Sequence, residues 1–135
     1  MAKESGLAWT TASRDDSGGT LRAIVNDITN IEFATPRAVQ DITGLDKSAI
    51  ERLLLLADYS STWNGVFNDA VNQSHDVHKT VPSTSVTRTE TLVVSGQTLT
   101  NEVLLTDYAL TRAATGELTF SAPAVLQSGT APAWA

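Results

Sequence analysis

Cysteine is missing from the chain, so disulfide staples, thiolate metal sites and a cysteine nucleophile are excluded. Basic residues are few: 9 Lys and Arg stand against 15 Asp and Glu, for a net charge of -6. The pI is near 4.7, and the cations are dispersed along the chain. The clustered positive charge that nucleic-acid phosphates demand is therefore lacking. Long apolar runs are also absent. The longest, Leu53 to Ala57, falls far short of the ~20 residues of a membrane-spanning helix, so it reads as the core of a strand or helix, and no membrane anchoring is expected. Met1-Ala2-Lys3-Glu4-Ser5 has no apolar signal core, and the expectation is a protein used without export by that route. There is no Gly-x-Ser-x-Gly elbow. Asp16-Ser17-Gly18-Gly19-Thr20 lacks a lysine at phosphate-loop spacing and reads as a turn.

What is present fits one globular domain over residues 1–135, with arms at about 1–6 and 127–135 that have little to pack alone. Thr and Val dominate the second half, and such β-branched residues favour pleated surfaces. Leu118, Phe120, Ala122, Ala124 and Leu126 share one parity, after a turn at Ala114 to Gly116. Ala57, Tyr59, Ser61, Trp63, Gly65 and Phe67 share another, and both runs predict strands. Ser85 to Ser95 predicts a strand that turns at Ser95-Gly96-Gln97 into a second one over Leu99 to Arg112. Ser48-x-x-Glu51 matches a helix capping box, but the leucines after it run into the Tyr59–Phe67 alternation, which favours a strand from Arg52. A short helix is expected within Asp69 to Lys79, ahead of Pro82. The fold class is mainly β, a sandwich or barrel with one short α-helix.

Candidate chemistry is thin. His75 and His78 could share a helix face as metal ligands, with Asp69 or Asp76 beside them, but no third ligand is marked. The plainer reading is an exposed polar helix. Asp15, Asp16, Glu32, Asp41, Glu90, Glu102 and Glu117 are scattered as on a solvated face. No cofactor and no catalytic residue is expected. Trp134 stands out, because a large aromatic on a tail must dock either on its own domain or on a neighbour. This profile suits self-assembling structural proteins, and also carbohydrate-binding sandwiches. The latter require exposed aromatic side chains aligned on one face, which the spacing of Trp9, Trp63 and Trp134 does not show.

Two stretches carry a resemblance. Phe33 to Gly44 contains an Asp41-Ile42-Thr43 step. Leu56-Ala57-Asp58-Tyr59-Ser60 opens a strand that reaches Asn64-Gly65, with Asp69 ahead of the helix. Together with Thr115 to Gly129, closing on Pro132 and Trp134, this resembles the major tail (tail tube) proteins of long-tailed, siphovirus-like bacteriophages. The resemblance implies hexameric rings stacked into a tube around a tape-measure protein, ended by tail terminator and tail-tip proteins. Phage DNA would pass through the lumen without specific binding. It implies a location in the virion tail, after synthesis in the host bacterial cytoplasm. With no appended immunoglobulin-like domain, a bare tube is expected. Glu90, Glu102 and Glu117 are the candidates for lining the lumen, where carboxylates repel DNA. The arms and the Thr35–Ser48 loop are the expected inter-subunit contacts, with Trp9, Asp41, Thr43, Asp46 and Trp134 as candidates. A head-tail joining or decoration protein is a closely related alternative.

Overall fold

The computed structural model describes residues 3–135. Its strands are β1 (Trp9–Asp15), β2 (Leu21–Ala23), β3 (Ile28–Ala34), β4 (Arg37–Asp41), β5 (Arg52–Ala57), β6 (Ser60–Val66), β7 (Arg88–Val94), β8 (Gln97–Leu105), β9 (Ala109–Arg112) and β10 (Leu118–Leu126). One short α-helix, α1 (Ser74–His78), lies between β6 and β7. The main sheet runs β2-β1-β7-β8-β10-β6-β3, with β9 also on β10, and β4 and β5 form a separate ribbon. The pairings are antiparallel.

The sheet curls over itself without closing. Ala12 of β1 and Leu92 of β7 share a core cluster with Trp63 of β6, although β6 lies at the other end of the strand order. Val77 of α1 and Ile24 complete that cluster. A second one joins Tyr59, Leu99, Val103 and Ala124. Of the two architectures expected, sandwich and barrel, a closed barrel is not formed, since the main sheet stays open.

Period two holds where it was strongest. Ser61, Trp63 and Gly65 of β6 face inward, as do Phe120, Ala122 and Ala124 of β10. The β7–β8 hairpin turns at Ser95 (φ 50°) and Gly96 (φ 76°), the paired positive-φ geometry that matches strand twist. Pro123 sits in the middle of β10, where proline is normally excluded. There β10 pairs with β9 over Leu118 to Ser121 and with β8 over Ala124 to Leu126, so the edge is open at Pro123. Its carbonyl accepts from Thr106 N (3.2 Å) across that opening, and the missing N–H faces the same gap.

Three expectations change. The strand predicted over Leu99 to Arg112 breaks between β8 and β9, at Thr106–Tyr108. The run through Leu53 to Phe67 is two strands, interrupted at Asp58–Tyr59. Leu53 to Ala57 is strand, yet it is not core: Leu53, Leu54, Leu55 and Leu56 are exposed. Of the two dockings open to Trp134, the structure shows the one on its own domain: Trp134 bridges Leu99 and Ala135 exchanges backbone hydrogen bonds with Thr98 (2.7 and 2.8 Å). Met1 and Ala2, in the N-terminal arm, lie outside the described residues.

Candidate assembly surface

The ionisable residues that the strands turn inward form a closed cluster. Arg14 of β1 is fully buried with its guanidinium carbon 4.0 Å above the Trp63 ring. It donates through Nε to Glu90 Oε1 (2.8 Å), through Nη1 to the Ala122 carbonyl (3.1 Å), and pairs through Nη2 with Glu90 Oε1 (2.7 Å). Ser61 and Tyr59 hydroxyls donate to the same Glu90 carboxylate. Burial, then the Glu90 charge, push the Tyr59 hydroxyl far above its usual pKa. Glu90 is therefore not a lumen-lining residue. Arg88, Glu90 and Leu92 share the inward parity of β7, and the carboxylate offsets the Arg14 charge inside the subunit.

His75 and His78 also depart from the exposed polar helix. His78 is fully buried, with Nδ1 2.8 Å from the Ser74 carbonyl and Nε2 3.2 Å from Arg14 Nη1. Burial and then the Arg14 charge lower its pKa to about 3, so the ring is neutral. His75 points elsewhere, its Nδ1 3.1 Å from the Tyr108 hydroxyl. Among the described residues no group of three or more His, Cys, Asp or Glu side chains gathers as metal ligands. Asp15 and Asp27 are buried as well, so the scattered carboxylates do not form one solvated face.

The remaining lumen candidates separate. Glu102 lies on the outward parity of β8, takes the Thr89 hydroxyl, and lines a shallow pocket with Thr100, Ser128 and Thr130. Glu117 is exposed in the β9–β10 turn beside Thr115. They stand near opposite ends of β10 and make no joint site.

The ribbon β4–β5 is the conspicuous surface. Four consecutive leucines occupy both parities of β5, and all four are exposed, Leu56 at 90 %. Val39 pairs with Leu54, and Ile42, Leu45 (108 % exposed) and Ile50 extend the apolar character to the tip. A ribbon with two wet apolar faces needs partners on both. Polar contacts hold its shape. Asp41 Oδ1 accepts from Thr43 N (2.9 Å) and Oγ1 (2.6 Å), which holds the Asp41 carboxyl below the usual range. Glu51 N donates to Thr43 Oγ1 (2.8 Å), Lys47 N closes a turn onto the Gly44 carbonyl (3.1 Å), and Asp46 packs against Gly44. Arg37 clamps the Leu55 carbonyl through two nitrogens (3.0 and 2.8 Å). Asp41, Thr43 and Asp46 thus converge on the ribbon tip. Trp9 and Trp134 converge elsewhere, their rings each 5.9 Å from Phe33, with Trp134 half exposed.

The exposed leucines were missed as a site because an apolar run reads as core. The available signal was their parity: four in succession cannot all face one interior.

No protein-family model matches the sequence, and no curated protein does. Solved structures do. A chain in the virion of a native gene transfer agent (GTA) particle matches with a TM-score of 0.77 and 14% identity, over 98% of this chain and 99% of that one. A chain in the tail of an empty GTA particle, determined with C6 symmetry, matches with a TM-score of 0.78 and 15% identity, over 98% of each. The chain has the fold of a GTA tail chain. The likeness covers nearly the whole of each chain. The likeness of fold agrees with the phage tail-protein resemblance read from the sequence.

Proposed function

We propose that the chain is a structural virion protein that stacks as hexameric rings into a phage-like tail tube, the conduit for genome delivery. The observation that carries this is the exposed leucine ribbon, on a fold matched over nearly its whole length by chains of GTA particles, one of them in a C6-symmetric tail. An exposed apolar surface of this kind marks an interaction site, and in this reading another copy covers it. Head-to-tail contacts of that type close into rings or continue as filaments. Asp41, Thr43 and Asp46 shape the ribbon tip for the contact, and Trp9 with the half-exposed Trp134 forms a second contact region. Glu102 and Glu117 remain the lumen candidates. A net charge of -6 per subunit keeps passing DNA from sticking. The tape-measure, terminator and tip proteins are the further partners of this reading, the virion tail is its location, and the host bacterial cytoplasm is the place of synthesis.

Trp63 is fully buried under Arg14, so the aligned aromatic face of a carbohydrate-binding module is not formed by the three tryptophans.

Negative-stain microscopy over a concentration series tests the proposal. Rings or hollow tubes of uniform diameter are expected. The double variant Leu54→Asp, Leu56→Asp is expected to stay folded and to form neither. A wild-type protein that stays monomeric at every concentration, or variants that assemble as well as wild type, would overturn it.

A further inference from the structure

Residues 67–87 cross one face of the sandwich between β6 and β7 and carry α1. A five-residue helix has no stability of its own, so its position depends on what grips it. Val77 is its buried apolar anchor. The other grips are polar. Asp27 accepts from Ser74 N (3.0 Å) and Asn68 Nδ2 (2.9 Å), and Arg88 donates to the Val77 carbonyl (2.6 Å) and to Thr80 Oγ1 (3.2 Å). Ser74 Oγ donates to the Val66 carbonyl (3.0 Å), His75 Nδ1 meets the Tyr108 hydroxyl (3.1 Å), and His78 lies against Arg14.

The contact between His78 and Arg14 depends on one proton. The Ser74 carbonyl can only accept, so His78 Nδ1 carries the hydrogen and Nε2 presents a lone pair to Arg14 Nη1. A second proton on the ring would turn this hydrogen bond into two cations facing each other at 3.2 Å in a dry site. The surroundings offer no relief. Arg14 comes from β1, Arg88 from β7 and His75 from the same helix, while the Tyr108 and Phe120 rings lie 5.3 Å away from the β8–β9 loop and β10. Glu90 is engaged at Nε and Nη2 of Arg14, away from the nitrogen that meets His78. If the helix leaves, Arg14 keeps Glu90, Ser61 and the Ala122 carbonyl, which all belong to the sheet.

We propose that His78 makes the α1 segment an acid-released flap, which detaches from the sheet on protonation while the sheet stays folded. The closed form holds His78 at about 3 and the released form returns it to its ordinary 6.5. Opening therefore takes up a proton between those values, and the open population rises by up to about tenfold per pH unit as pH falls. The proposal concerns the single subunit and does not depend on the tail reading.

Amide hydrogen exchange of the full chain between about pH 7 and pH 4, corrected for intrinsic rates, tests it. Val77 and Lys79, whose N–H groups bond the Gln73 and His75 carbonyls, are expected to lose protection progressively while Leu92 and Ala122 keep theirs. Loss in step with the sheet, or no loss at all, overturns the proposal. His78→Gln retains an acceptor for Arg14 but cannot take the proton, and is expected to make Val77 and Lys79 protection independent of pH. Unchanged pH dependence in that variant overturns the proposal. If His78→Gln does not fold, nitrogen-15 NMR of the wild-type ring decides. The Nδ1–H tautomer is expected throughout the closed form, and an imidazolium within a still-protected helix overturns the idea.

Discussion

Gly65 lies where β6 passes beneath the 3-10 turn Val25–Asp27. A Cβ there would enter the van der Waals shell of the Asp27 carbonyl and come within 2.9 Å of Phe120 Cε1. Backbone cannot yield as a flexible side chain does, so Gly65→Ala is expected to destabilise the fold by about 1–3 kcal/mol or more, read as a lower urea midpoint. Glu90 presents the opposite case, a buried charge that the cluster requires. Glu90→Gln preserves the shape but leaves Arg14 without its counter-charge. The expected loss is about 3–5 kcal/mol in the same measurement, and a shift within 0.5 kcal/mol would show that Arg14 finds another partner. Neither residue's role could be assigned from the sequence. Parity groups Glu90 with Arg88 and Leu92 but does not say which side is inner, and Arg14 is 76 positions away.

At the scale of elements, the strands with clean alternation, β6, β10 and the β7–β8 hairpin, were legible because local pattern and tertiary burial agree there. The leucine strand was legible in type and misleading in burial. Its residues pair only with β4, and the interior they require is absent from the single subunit. The ribbon is expected to bear assembly alone: the Leu54→Asp, Leu56→Asp variant should unfold within about 0.5 kcal/mol of wild type, as exposed positions do, while losing tubes in the microscope. The C-terminal arm behaves differently, because Ala135 and Trp134 complete backbone pairing on β8. Deleting residues 129–135 is expected to lower stability by roughly 1–3 kcal/mol by exposing Leu99 and Phe33, and to weaken assembly as a consequence. Intact tubes after that deletion would remove the arm from the interface.

For the whole molecule, the acidic balance sets how copies meet. Subunits of charge -6 repel one another, and raising salt from about 10 to 150 mM shortens the Debye length from about 30 to 8 Å. The concentration needed for assembly, followed by light scattering, is expected to fall over that range. A rise would mean that opposite charges, and not leucines, hold the copies together.

The sequence by itself determined the β class, the short helix, the β7–β8 turn and the lack of cysteine chemistry. Each of these is legible in neighbouring residues through period, turn residues and composition, although the cap on the helix, Asp27 on Ser74 N, comes from 47 positions away. Only the tertiary structure decided which parity of each strand faces inward, that the sheet stays open, and that Arg14, Glu90 and His78 meet in one cluster. It also decided that the leucines face water. These follow from long-range antiparallel pairing, which brings together residues many tens of positions apart and leaves β4–β5 beyond the reach of the subunit's own core.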